Sequence, residues 1–355
     1  LLGGTGAKAV RFFEHQRHAR GQTRRLLFWF GVMVALLVLA INAVLALAWQ
    51  LTVGGALDYP AHFFAVNTAV TLLFVLGGWW LETTQLQSGG GRALAMRLGT
   101  REARPSASED ERRFVHIVQE LSIAAGMRPP EAMVLPREAS INALATGWDA
   151  RDAVVAVTQG ALDALTREEM QGLVAHELSH IREGDTRLNM RLAGMVFGLE
   201  MIYRLGQALA RPDARGRRHV ATLIGLGVMA VGWLGWLAGH ALQAAVSRQR
   251  EHLADARAVQ WTRNRDGLGR VLRKVMGQQM HSGASPSGRI DQPLVQHMLL
   301  VSGESGWLGR WLDAHPPLPE RIRRIYGGKM PPLAPRHGRD GAAQTASLAD
   351  ALPEA

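Results

Sequence analysis

The chain has 355 residues, 47% of them apolar, no cysteine, and a formal net charge of +10 carried almost wholly by arginine. Its length allows one large domain or two modest ones, and the lack of cysteine excludes disulfides and any thiolate metal site, so a bound metal must use His, Asp or Glu. The charge suits nucleic acid, a lipid surface or the cytoplasmic loops of a membrane protein, and the positions of the arginines decide among these.

Residues 1–25 form a basic segment containing Lys8, Arg11, Arg17, Arg20, Arg24 and Arg25. Leu26 to Trp49 carries no charge. As a helix it rises about 36 Å, enough to cross a hydrocarbon core of about 30 Å. It is also too long for the apolar region of a cleavable signal. Gln50 to His62 has no Lys or Arg, and Phe63 to Leu81 is a second apolar run ending in Trp79-Trp80. Paired tryptophans suit a membrane interface. Arg92, Arg97, Arg101, Arg104, Arg112 and Arg113 follow. The pattern predicts a transmembrane hairpin over 26–81, with helices at 26–49 and 63–81 and both basic flanks cytoplasmic. That placement accounts for the arginines. No basic face interleaved with aromatics remains, so no nucleic-acid partner is expected.

Residues 82–190 predict a soluble α+β unit. Arg112 to Met127 has apolar residues at helical spacing and closes at Gly126. Strands are expected at Ala132–Leu135, Ile141–Ala145 and Ala153–Thr158, with a turn at Gly147-Trp148-Asp149. Thr166-Arg167-Glu168-Glu169 reads as a capping box, so a helix should start there and run through His176 and His180. Residues 191–246 hold two apolar stretches, Leu192 to Tyr203 and Val220 to Val246, joined by a basic connection over 204–218. They are expected as an inserted, membrane-associated helical pair. A polar helix resumes from Ser247 to about Met280 and a loop covers 282–293. The segment 247–330 completes the soluble unit, and a disordered tail is expected over 331–355.

The sharpest motif is His176-Glu177-Leu178-Ser179-His180. Four helical residues turn about 400°, so the two imidazoles lie roughly 40° and 6 Å apart on one face. Two nitrogens so placed can meet one zinc ion, and Glu177 can reach a water beside the metal as general base. A catalytic zinc needs a third protein ligand. Glu251 is the best candidate, in Ser247-Arg248-Gln249-Arg250-Glu251-His252-Leu253-Ala254-Asp255, with His252 as its rival. Asp255 shares the face of Glu251 one turn on, where it could accept a hydrogen bond from a ligand histidine.

These residues resemble the HtpX-type membrane metallopeptidases, a family related to the CAAX prenyl proteases. The resemblance runs from about Glu82 to Tyr326. It is carried by HELSHIREGD at 176–185, by Glu251 and Asp255 within SRQREHLADA, by INALATG at 141–147 and by AHPPLPERI at 314–322. It implies a mostly helical α+β protein with a zincin-type domain, in which the motif helix packs on a small sheet. It implies one zinc per chain held by His176, His180 and Glu251, with Glu177 as base and Asp255 behind the ligands. His315 and Arg321 match positions that bind substrate or the oxyanion. Asn142, Ala143, Leu144 and Ala145 match the edge strand along which substrate lies. The family often has an aromatic where Leu144 stands, and a Thr or Ser where Ala314 stands.

The expectation is a membrane-bound zinc endopeptidase of the bacterial inner membrane. Its site should face the cytoplasm, and its partners should be the bilayer and protein or peptide substrates, membrane proteins among them. A non-catalytic membrane chaperone or scaffold and a prenyl-CAAX protease are the alternatives. The latter usually needs a larger set of membrane helices.

Overall fold

The computed structural model describes residues 4–53, 58–211, 220–281, 300 and 315–334. The chain divides into two compact units, Leu1–Glu82 with Gly194–His240, and Thr83–Ala193 with Ala241–Ala355.

The first unit is helical. Helix α1 covers Gly4–Val53 and α2 covers Phe63–Arg97. Helix α6 covers Asp185–Ala210 and α7 covers Val220–Thr262. Phe30, Val34, Leu37 and Ile41 of α1, Val75 of α2, Met195, Leu199 and Ile202 of α6 and Val228 of α7 form one buried cluster. The outer faces are apolar too: Leu36, Leu39, Leu73, Leu223 and Leu234 are all exposed. A bundle that is apolar inside and outside is built for lipid. Among the described residues, three helices are long and apolar enough to cross a membrane: Leu26–Thr52, Phe63–Arg97 and Ala221–Thr262. The chain is a multi-pass membrane protein. Helix α6 falls short of that hydropathy, yet it runs antiparallel to α7 at backbone contact. A Cβ on Gly232 would lie 2.4 Å from the Tyr203 nitrogen, and one on Gly225 would lie 2.4 Å from the Ala210 nitrogen. Small residues permit this approach where lipid gives helices no hydrophobic drive to associate.

The second unit carries a mixed sheet: β1 (Arg101–Glu102), β2 (Glu131–Leu135), β3 (Ala143–Thr146) and β4 (Val154–Thr158), in the order β1-β2-β4-β3. Strand β4 pairs parallel with β2 and antiparallel with β3, leaving β3 at an edge. Helix α3 (Glu109–Ala125) starts on the Ser108 cap and stops at left-handed Gly126. Helix α4 (Gln159–Ala164) is capped by Thr158. The predicted capping box is present: the Thr166 hydroxyl accepts from the Glu169 nitrogen and the Glu169 carboxylate accepts from the Thr166 nitrogen. It starts helix α5, Arg167–Glu183. Phe114 and Ile117 of α3, Val155 and Val157 of β4, and Leu173, Val174 and Leu178 of α5 share one core with Leu268, Val271 and Leu272 of α8 (Arg265–His281). This core presses α5 onto the sheet.

Several expectations shift. Strand β3 begins at Ala143 rather than Ile141, because the nitrogens of Ile141 and Asn142 take side-chain acceptors, Gln278 Oε1 and Thr158 Oγ1. The single helix expected over 247–280 is two. Arg263 adopts φ 51°, and the Asn264 side chain accepts from the Asp266 nitrogen to start α8. Helix α2 continues beyond Leu81 to Arg97, with a non-helical Gly90 at φ 62°. Strand β1 and helix α4 have no counterpart in the expectations. Pro331 and Leu333 hydrogen-bond to Arg273. The remainder of the expected tail from 335, the loop at 282–293, Ala314 and the part of the basic connection over 212–218 lie outside the described residues.

Candidate metal centre

Helix α5 brings His176, Glu177 and His180 to one place, and α7 brings Glu251. His176 Nε2 and His180 Nε2 stand 3.2 Å apart. Glu251 Oε2 lies 3.5 Å from the first and Oε1 lies 3.4 Å from the second. A tetrahedral ion with bonds of about 2.0–2.1 Å holds its ligand atoms about 3.3–3.4 Å apart. One ligand atom from each of the three side chains lies within 4.8 Å of the others, so together they can hold one metal ion.

The other ends of the rings explain the orientation. His176 Nδ1 faces Asp255 Oδ1 at 3.1 Å, and His180 Nδ1 faces Asp185 Oδ2 at 2.9 Å. His180 Nδ1 hydrogen-bonds with Asp185, and the tautomer protonated on Nδ1 leaves Nε2 able to act as a lone-pair acceptor. The two Nε2 atoms and the Glu251 carboxylate converge, an arrangement suited to a cation.

Asp255 also receives Arg321, with Nε to Oδ2 at 2.9 Å and Nη2 to Oδ1 at 2.7 Å. Arg321 is fully buried on α9 (Leu318–Tyr326), donates to the Leu300 carbonyl at 3.1 Å and lies 3.3 Å from Glu251 Oε2. Burial alone would lower this guanidinium, but the Asp255 and Glu251 carboxylates hold it above its ordinary value. His315 places Nδ1 3.1 Å from Glu251 Oε2. Burial pushes the Glu177 carboxyl up from its usual range, against the pull of His176 and His180.

A pocket at this point is lined by Ala145, His176, Glu177, His180, Glu251 and His315. The expected substrate strand is thus represented directly by Ala145. Leu144 points to the opposite face, in a cluster with Met133 and Ala156. On the outer edge of β3, the Ala143 carbonyl accepts from the Leu300 nitrogen at 2.9 Å. Arg321, expected at the substrate or oxyanion, has its guanidinium directed at Asp255, Glu251 and Leu300 instead. His252 is the rejected rival: its Nε2 lies 3.7 Å from Glu320, away from the imidazole pair.

Sequence reasoning missed Asp185 and its partner Arg250. Gly184 closes α5 in the left-handed region at φ 76°, so Asp185 begins a new helix and swings back toward His180. Asp185 lies within the quoted motif segment, and the glycine before it was the available signal.

The description "Peptidase family M48" matches residues 108–328. A "Protease HtpX homolog" of Dictyoglomus thermophilum is 36% identical over 215 residues, 60% of this chain and 68% of that protein. One of Syntrophobacter fumaroxidans is 31% identical over 283 residues, 77% of this chain and 92% of its own. The crystal structure of S. mikatae Ste24p overlaps more distantly, at TM-score 0.40 and 15% identity, over 88% of this chain and 66% of that one. The matched span holds the His176–His180 helix, Glu251 and Arg321 together, and this chain belongs to peptidase family M48 as a membrane-bound metallopeptidase.

Proposed function

We propose that the chain is an endopeptidase that holds one zinc ion through His176, His180 and Glu251 and uses Glu177 as general base. The supporting observation is that the Nε2 atoms of His176 and His180 stand 3.2 Å apart and each lies 3.4–3.5 Å from one of the two Glu251 carboxylate oxygens, with Glu177 buried beside them in the same pocket. Bound zinc would acidify a water molecule and draw charge from the scissile carbonyl. The chain's own residues do the rest. Glu177 takes the proton of the attacking water and returns it to the leaving nitrogen. Substrate lies extended along the outer edge of β3 beside Ala145, which reaches the pocket. His315 offers a polar contact for the developing oxyanion. Arg321 acts one step back, holding Asp255 and so His176.

The site faces the cytoplasm of the bacterial inner membrane in this reading. The arginines over 92–113, on the same unit as the site, set that orientation. Helices α6 and α7 both cross, since their interlocked glycines bind them as a pair and an even number of crossings returns Glu251 to the side of His176. Membrane proteins presented at the cytoplasmic surface are the natural substrates of such a site.

The test is Glu177→Gln in the full chain in detergent. Zinc content should stay at one per chain while casein cleavage is lost. Undiminished cleavage by that variant would remove Glu177 from the mechanism, and a wild-type protein that holds no zinc would overturn the reading.

A further inference from the structure

We infer that Asp185 and Arg250 form a second positioning pair for the metal site, matching on His180 what Asp255 and Arg321 do for His176. This rests on the reading of His180 as a metal ligand.

The two imidazoles receive the same treatment from different parts of the chain. His176 Nδ1 faces Asp255, which is held by Arg321. His180 Nδ1 faces Asp185 at 2.9 Å, and Asp185 pairs with Arg250. Asp185 is buried, with 4% of its side chain exposed. A buried carboxylate calls for compensating partners. Arg250 is one, next to Glu251 in sequence, so one turn of α7 carries a ligand and the group that steadies the opposite ligand's support. Asp185 in turn fixes the ring orientation of His180, selects the tautomer with Nε2 free, and raises the basicity of that nitrogen. Carboxylates behind ligand histidines characteristically contribute 10–100-fold to metal affinity.

A simpler role exists for an acid in that place. Asp185 opens α6, where negative charge suits the helix dipole. The two roles differ in what they predict. A dipole role affects folding and leaves the metal unchanged. The positioning role affects the metal directly.

The experiment is zinc competition against a chromophoric chelator, run on full-length wild type, Asp185→Asn, Asp185→Ala and Arg250→Gln in detergent, with the visible spectrum of each cobalt-substituted form. Asp185→Asn keeps an acceptor for the Nδ1 proton but loses the charge, and about a 10-fold loss of zinc affinity is expected. Asp185→Ala should lose about 100-fold. Arg250→Gln should fall between wild type and Asp185→Ala, and the cobalt bands should shift in all three variants. Thermal midpoints of the metal-free proteins confirm that the variants fold. Unchanged zinc affinity and cobalt bands in folded Asp185→Ala would overturn the inference and leave the metal site standing. A wild type that binds neither metal would instead remove the reading on which it rests.

Discussion

Asp255 Oδ1 is shared: it lies 3.1 Å from His176 Nδ1 and 2.7 Å from Arg321 Nη2. The imidazole and the guanidinium therefore depend on one carboxylate, and Arg321 Nε secures the second oxygen at 2.9 Å. A planar fork matches a carboxylate in a way that a lysine ammonium cannot. Arg321→Lys is expected to keep the charge but lose the two-point grip, with zinc affinity down about 10-fold in chelator competition. Arg321→Met leaves Asp255 and Glu251 buried without their cation and should cost about 3–5 kcal/mol of stability, read from denaturant unfolding. Wild-type stability in Arg321→Met would show that the pair is not structural.

Metal removal should act on folding as well as on catalysis. Treatment with a chelator is expected to abolish casein cleavage, and zinc to restore it. Because the ion binds the folded protein, zinc at about 100 times its dissociation constant should add about 2.7 kcal/mol. The thermal midpoint should rise with added zinc in wild type and stay flat in His176→Ala. A midpoint indifferent to zinc in wild type contradicts a site formed by folding.

The outer edge of β3 allows a backbone test. The Thr158 nitrogen pairs with the Asn142 carbonyl, so alternation along the ladder turns the Ala145 nitrogen outward. Proline there removes no bond to β4, since edge positions tolerate it. Ala145→Pro is expected to retain zinc and the fold but lower kcat/KM for casein by about 10-fold, as one substrate hydrogen bond disappears. Undiminished turnover would place the substrate elsewhere.

Stability should also carry an acid limb away from the site. Glu111 accepts from Arg101 Nη2 at 2.6 Å and from the Arg104 nitrogen at 2.6 Å, with its side chain only 6% exposed. The hydrogen bond from Arg101, opposed in part by burial, holds its carboxyl below the ordinary 4.5. The folded pKa is depressed, so the contribution is fully present above pH 4.5 and is lost as pH falls through the folded value. Glu111→Gln should lower stability by about 2 kcal/mol at pH 7. It should also flatten the dependence on pH below 4.5, as thermal melts across pH 3–7 would show. Parallel curves for the two proteins would contradict this.

Much of the site could be read in advance because its signals are local. A Thr and a Glu three apart start α5, His-Glu-x-x-His fits one helical turn, and Glu251 and Asp255 repeat that spacing on α7. What escaped depends on distance or on unusual backbone. Strand β1 is two residues that exist only by pairing with Val134 and Met133. The break between α7 and α8 rests on a non-glycine residue at positive φ, Arg263. The orientation of Arg321 is set by a carboxylate 66 positions away. Asp185 stands five residues after His180, an offset that no continuous helix would bring onto the same face, and only the reversal at Gly184 makes it useful.

Helix α7 runs unbroken from Val220 to Thr262, and Val246, the end of its apolar run, lies five residues before Glu251. That short interval works as a phase setting. One inserted residue would swing Glu251 by about 100° and carry it off the imidazole pair. Seven would nearly restore its bearing but displace it by about 10 Å. The number of residues between Val246 and Glu251 is therefore under constraint independently of their side chains.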